Sequence, residues 1–389
     1  MRTVALGEVA LVNPRGETVS AESSISFVGM AELDAGRGVA LPLETRRFVE
    51  VSKGYTLFRN HDVLAAKITP CWENGKVGQA QLDHSVGVGS TEFHVLRPGG
   101  NLDDRFLLHF LRQTWVRRAG EARMTGSAGQ KRVPASFLTE LQIPLPPLPE
   151  QRRIAAILDH ADALRVKRRQ VLAHLDALTQ SIFHDMFGDP DRASDRILFG
   201  SVANLAGGRS IVADDSMSGS EYRVLKISAV TSGQFKPWES KPLPEGYVPP
   251  ASHLVRTGDL LMSRANTAEL VGAVAHVTSA TSQLALPDKI WRFEWKIEAE
   301  PTFWHALLST PEIRRRISRL SSGTGGSMKN VAKSKLDAMT VPRVALRRQQ
   351  EFAERAQRVA HARTKVASTL AADDELFASL QSRAFDGRL

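Results

Sequence analysis

The chain has 389 residues, with 51 Lys plus Arg against 42 Asp plus Glu for a net charge of +9, 42% hydrophobic and 24% charged residues, and one cysteine. That length supports two or three domains with substantial cores, and the composition lies outside the range of disordered chains. The lone Cys71 excludes an intrachain disulfide and a multi-thiolate zinc site and fits a reducing cytoplasm, while the lack of any apolar run of about 18 residues argues against membrane spanning and the short, acid-interrupted start Met1 to Glu8 against secretion.

The positive excess favours a polyanionic partner, and its distribution says more than its size. Residues 112 to 132 hold Arg112, Arg117, Arg118, Arg123, Lys131 and Arg132 against a single acid, Glu121. Residues 312 to 335 hold Arg314, Arg315, Arg316, Arg319, Lys329, Lys333 and Lys335 against Glu312 alone.

These two stretches belong to a weak but ordered internal repeat with a period near 197. Leu6-Gly7-Glu8-Val9-Ala10 answers Phe199-Gly200-Ser201-Val202-Ala203, and Phe27 to Met30 answers Val224 to Ile227. His61-Asp62-Val63-Leu64-Ala65-Ala66-Lys67 answers Gly258-Asp259-Leu260-Leu261-Met262-Ser263-Arg264, each reading as a turn into a strand that ends on a base. Thr91 to Leu96 and Lys289 to Phe293 supply further strands, and Phe106 to Leu111 and Phe303 to Leu308 are apolar helical segments leading into the basic stretches. Thr125 to Val133 then lies opposite Thr324 to Val331, after which Leu138, Leu141, Pro144, Leu148 and Gln151 fall opposite Leu336, Met339, Pro342, Leu346 and Gln349 at a constant offset of 198. Each half reads as a mixed α/β (α+β) recognition-sized unit followed by a helix.

After the extended Pro144-Leu145-Pro146-Pro147-Leu148-Pro149 the pattern is helical without Gly or Pro until Gly188 and Pro190 stop it. Ile154, Ile157, Ala161, Leu164, Val171, Leu175, Leu178 and Ile182 recur at threes and fours, interrupted by Arg168, as in a coiled-coil seam. A second stripe, Phe352, Ala356, Val359, Ala362, Val366, Leu370, Phe377, Leu380 and Ala384, is broken by Asp373. Each helix spans roughly 55–60 Å at the α-helical rise, longer than a compact domain needs, and the two are expected to pair antiparallel as a coiled coil. The expected domains are 1–145 and 189–343 for recognition, with 146–188 and 344–389 for linker and helix.

The motifs Ile143-Pro144-Leu145-Pro146-Pro147-Leu148-Pro149-Glu150-Gln151-Arg152-Arg153-Ile154-Ala155-Ala156-Ile157-Leu158 and Leu178 to Pro190 resemble the specificity subunits of type I restriction-modification systems. The Gly-Ser-Ala-Gly-Gln loop at 126–130 and Leu376 to Phe385 are similar to the same family, so the resemblance covers the whole chain. It implies two target recognition domains reading the parts of a split, asymmetric double-stranded DNA site. It also implies helices that space them and dock two modification (methyltransferase) subunits, with restriction or motor subunits optional, in a cytoplasmic assembly. S-adenosylmethionine, ATP and Mg are then expected on those partners, and Pro146, Pro147, Glu150 and Gln151 are candidate partner contacts. The second linker, Val341 to Glu351, lacks the Pro-Pro and carries a degraded Pro-Glu-Gln.

No adenine-methyltransferase Asn/Asp-Pro-Pro-aromatic motif, Gly-x-Gly-x-x-Gly loop or Walker motif occurs, so catalysis is expected elsewhere. Asp288 with Glu294-Trp295-Lys296 has the residue types of a metal-dependent nuclease but a spacing too tight for it. His61-Asp62 and His184-Asp185 read as isolated exposed pairs. For DNA, phosphate contacts set register and base-edge contacts select sequence. The candidates are Lys67, Arg117, Arg118, Arg123, Gly126, Ser127, Gly129, Gln130, Lys131 and Arg132 in the first half, and Arg264, Arg314, Arg315, Arg316, Gly325, Gly326, Ser327, Lys329 and Asn330 in the second. A coiled-coil adaptor with protein-binding halves is the alternative from another class; a standalone endonuclease is the third.

Overall fold

The computed structural model describes residues 2–15, 18–127, 129–211, 220–280, 283–323 and 328–389. They form two compact units, Met1–Leu172 with Val366–Leu389, and Ala173–Lys365.

Among the described residues of the first unit a six-stranded sheet runs in the order Ala10–Val12, Phe93–Pro98, Val63–Ala66, Val77–Ala80, Val39–Ala40, Leu33–Asp34. Val63–Ala66 is apolar and buried along its whole length, as befits an interior strand covered on both faces. A four-stranded sheet (Glu44–Arg47, Ser24–Val28, Val86–Gly89, Thr56–Arg59) adds a second layer, and Thr3–Ala5 closes against Gln142–Pro144. Helix Asp104–Leu111 starts where the Asp103 carboxylate accepts from the amides of Arg105 and Phe106, and it buries Phe106, Leu107 and Phe110.

Among its described residues the second unit repeats much of this arrangement with smaller sheets. Ala203–Gly207, Ile290–Trp295, Leu260–Ser263 and Val274–His276 form one sheet, Ser240–Pro242, Arg223–Leu225 and Leu284–Ala285 another, and Arg196–Leu198 pairs with Thr340–Pro342 as its counterpart pairs in the first unit. Helices Pro301–Ser309 and Pro311–Leu320 each open on a proline, where the missing N–H costs nothing. The matched sequence segments thus take matching structures: Leu6–Val9 and Phe199–Val202 are both short helices, and Val63–Ala66 and Leu260–Ser263 are both interior strands.

Two 40-residue helices, Leu148–Phe187 and Leu346–Phe385, carry the long apolar stripes. The first ends as its sequence dictates, with Gly188 at φ +69° donating its amide to the His184 carbonyl. In the first unit its opening turns (Ile154, Ala155, Leu158) join Phe377, Ala384 and Phe385 over Phe106 and Phe110. In the second unit Phe183 and Phe187 pack with Phe303 and Phe352. The helices run antiparallel in both: Arg153 bonds the Leu389 carbonyl and Arg165 meets Asp374 in one unit, while Asp176 meets Arg363 and Met186 meets Arg348 in the other.

The buried stripe of the C-terminal helix is the one its periodicity predicts, since every named member is at least half-buried. On the central helix the predicted stripe holds in part: Ile154 is buried and Ile157, Ala161, Leu175 and Ile182 are half-buried. Leu158 and Asp162 are buried, whereas Leu164, Val171 and Leu178 are exposed. The two polar interruptions, Arg168 and Asp373, are each other's ion-pair partners. Among the described residues no helix is long and apolar enough to cross a membrane.

Candidate nucleic-acid interface

In both units the strand ending on a base is stitched to the loop that follows the basic helix. In the first, the Val133 amide donates to the Lys67 carbonyl at 2.8 Å, Thr69 N–H to Lys131 O at 3.0 Å, and Thr125 and Arg132 exchange backbone hydrogen bonds at 3.0 and 2.8 Å. In the second, the Val331 amide donates to the Arg264 carbonyl at 3.1 Å, and Ser322 and Asn330 exchange bonds at 2.8 and 2.9 Å. Asn266 and Lys329 pair in the same ladder. The fold therefore gathers Lys67, Gln130, Lys131 and Arg132 in one unit, and Arg264, Lys329 and Asn330 in the other.

The glycines have a local cause: Gly126 sits at φ +130° and Gly129 at +80°, and a Cβ on Gly126 would lie 2.6 Å from the Gln130 carbonyl oxygen. Gly126, Ser127, Gly129, Gln130 and Lys131 are exposed. Gly325, Gly326 and Ser327 lie outside the described residues.

The floor of each loop differs. In the first unit the His94 Nε2–H donates to the Val133 carbonyl at 2.8 Å while Nδ1 accepts from Asn13 Nδ2 at 3.1 Å. Burial pushes the imidazole below its ordinary pKa, so this neutral tautomer is the resident form. Glu92 accepts from Arg132 Nε and Nη2, at 2.9 and 2.8 Å, which holds its carboxyl below the ordinary range. In the second unit the sequence places Trp291 at the site of His94 and Lys289 at that of Glu92. There the Arg264 guanidinium lies 5.6 Å from the Trp291 ring centroid.

A residue class that periodicity did not reveal anchors these faces to the long helices. Gln151, fully buried, accepts the Asp103 amide at 2.8 Å and donates to the Asn101 and Pro146 carbonyls at 2.9 and 2.8 Å. Gln349 repeats this with the Glu300 amide and the Val344 carbonyl. Gln381 donates to the His109 carbonyl, and Gln180 to that of Ala306, the position 197 residues on. The motif Pro-Glu-Gln was legible; its glutamine's role was not, because an amide shows no sign in sequence of which backbone groups it will satisfy.

Residues 2–174 match the family model described as the type I restriction modification DNA specificity domain. The EcoEI type I restriction enzyme specificity subunit of Escherichia coli is 30% identical over 75% of this chain and 66% of that protein. The EcoAI specificity subunit of Escherichia coli is 39% identical over 46% of this chain and 31% of its own length. The chain is thus similar to type I restriction-modification specificity subunits, and its first half carries their DNA specificity domain. It spans just under two thirds of the first of these relatives and less than one third of the second. The S subunit structure from M. genitalium shares the fold at TM-score 0.58 and 13% identity, over 99% of this chain and 96% of that one. A structure described for complex assembly and conformational transition of the type I system does so at 0.62 and 20%, over 100% and 98%.

Within this specificity-subunit fold the helical arginines divide. Arg118 and Arg315 are exposed, the latter beside Glu312. Arg123 lies 5.5 Å from the Phe137 ring centroid, and the Arg117 carbonyl accepts the Trp72 indole N–H. Arg314 donates to the Glu269 carbonyl and Arg316 to that of Thr340, so both brace their own unit. Of the partner candidates, Pro147 is exposed and Glu150 is paired with Arg153, whereas Pro146 and Gln151 are buried and offer no surface.

One further sequence expectation changes. Asp62 is not an exposed residue: it is buried, bonds the Arg59 amide and pairs with Arg97 at 2.7 Å, leaving only His61 exposed. Asp259 repeats the turn with the Arg256 amide and lies 3.6 Å from Arg292. Asp288 and Glu294 do not face each other across a turn, because Ile290–Trp295 is one continuous strand, and the Lys296 ammonium is bonded to the Gly200 carbonyl.

Proposed function

We propose that the chain is the non-catalytic DNA sequence-specificity subunit of a type I restriction-modification complex. Each recognition domain, 1–145 and 189–343, reads one part of a split, asymmetric double-stranded site, and the long helices within 146–188 and 344–389 fix the gap and carry two modification subunits. Those partners hold S-adenosylmethionine, and optional motor-nuclease subunits use ATP and Mg. The complex works in the cytoplasm.

One observation carries this reading: the same stitched loop and strand end occurs in both units with different side chains on it, which suits two readers of unlike half-sites. The exposed Pro147 and the Glu150–Arg153 pair form the partner face. The test is N6-methyladenine mapping in cells expressing the modification subunit with and without this chain. A methylated motif of two unlike half-sites that depends on the chain is expected. An assembled, active complex that methylates no such motif would shift the reading to a protein-binding adaptor.

A further inference from the structure

Arg132 differs from the other bases of the interface in being held at every level. Its backbone is bridged to Thr125 on one side and Ile68 on the other, and the neighbouring Val133 is bonded to both Lys67 and His94. Its side chain is gripped through Nε by both Glu92 oxygens and through Nη2 by one of them. Although these bonds hold the loop, 41% of the Arg132 side chain stays exposed. Apart from a 3.5 Å approach of Nη1 to the Gln130 carbonyl, the Nη1 and outer Nη2 hydrogens have no acceptor among the described residues.

We infer that Arg132, oriented by Glu92, reads a guanine edge in the half-site of the first unit, an assignment that rests on the functional reading above. A guanidinium fixed through its Nε side presents two parallel N–H groups at the spacing of guanine O6 and N7, and fixing it beforehand removes the entropy of ordering a long side chain on binding. A phosphate is the poorer ligand. Phosphate affinity comes from net positive charge and counterion release, and the adjacent carboxylate cancels that charge. A neutral acceptor edge asks for direction instead, which the clamp supplies. The second unit lacks the device, with Lys289 and Asn330 at the matching positions, so its consequence is confined to one half-site.

Methylome mapping of the full chain co-expressed with its modification subunit tests this with Arg132→Lys, which keeps the charge and loses the fork, and Glu92→Gln, which weakens the clamp. Arg132→Lys should lower the preference for guanine by about 10-fold or more at one position of one half-site, with the other half-site unchanged. Glu92→Gln should relax the same position to a smaller degree. An unchanged motif in Arg132→Lys, or an even loss of methylation at all sites without relaxation, would overturn the assignment. No chain-dependent motif for the unsubstituted protein would instead overturn the functional reading beneath it.

Discussion

Buried polar side chains hold each recognition unit to one geometry. Asp62 and Arg97 form a nearly enclosed ion pair, so Asp62→Ala removes the buried carboxylate from a largely enclosed guanidinium and should cost up to about 3–5 kcal/mol in urea unfolding. Gln151→Ala leaves the Asp103 amide and two carbonyls without partners, at about 1–3 kcal/mol for each group that water cannot reach, and should lower the urea midpoint without abolishing folding. Acid should act through two kinds of group. Half-burial opposes ionisation of Asp159, but hydrogen bonds from His109 and Arg105 bring its pKa down to about 2. The stability it contributes is present above its unfolded value and disappears as pH falls from about 4 toward 2. Burial depresses His109 against the opposing pull of Asp159. As the unfolded chain then binds the proton more readily, its contribution is complete above about pH 6.5 and is lost below it. His94, His276 and His305 are depressed by burial in the same direction. The urea midpoint should therefore fall between pH 7 and 5, and His109→Gln should blunt that fall.

At the scale of elements, the apolar ends of the long helices matter more than the charged pairs between them. Phe352 is wholly buried against Phe183, Phe187 and Phe303, and Phe352→Ala should cost about 3–5 kcal/mol by the same assay. Asp373→Ala removes a partly exposed pair with Arg168 and should cost less than about 1 kcal/mol. These helices were legible because proline, glycine and a sustained period mark their ends and faces. The exposure of Leu164, Val171 and Leu178 was not, since the buried Asp162 lies on the packed face with its charge met by Arg112 and Arg165. Apolar periodicity cannot register a face that is partly ionic. The interior strands were equally legible from their apolar runs and turns. The sheet orders were not, because register and pairing between Val39–Ala40 and Val77–Ala80, for example, depend on partners distant in sequence.

For the whole molecule, the internal repeat pointed correctly to matched strand ends and loops, yet it could not tell which arginines face outward. Arg314 and Arg316 look identical to Arg118 in composition but donate to carbonyls of their own unit. If Lys131 and Arg118 contact phosphates, alanine at either should reduce the slope of log affinity against log salt by about one without altering the motif. The central claim, that the two units read separate parts of the site, is tested most directly by replacing residues 1–145 with the corresponding domain of another specificity subunit and mapping N6-methyladenine. The account predicts that one half-site changes while the other half-site and the gap persist. A chimera that assembles and methylates but alters both half-sites would contradict it.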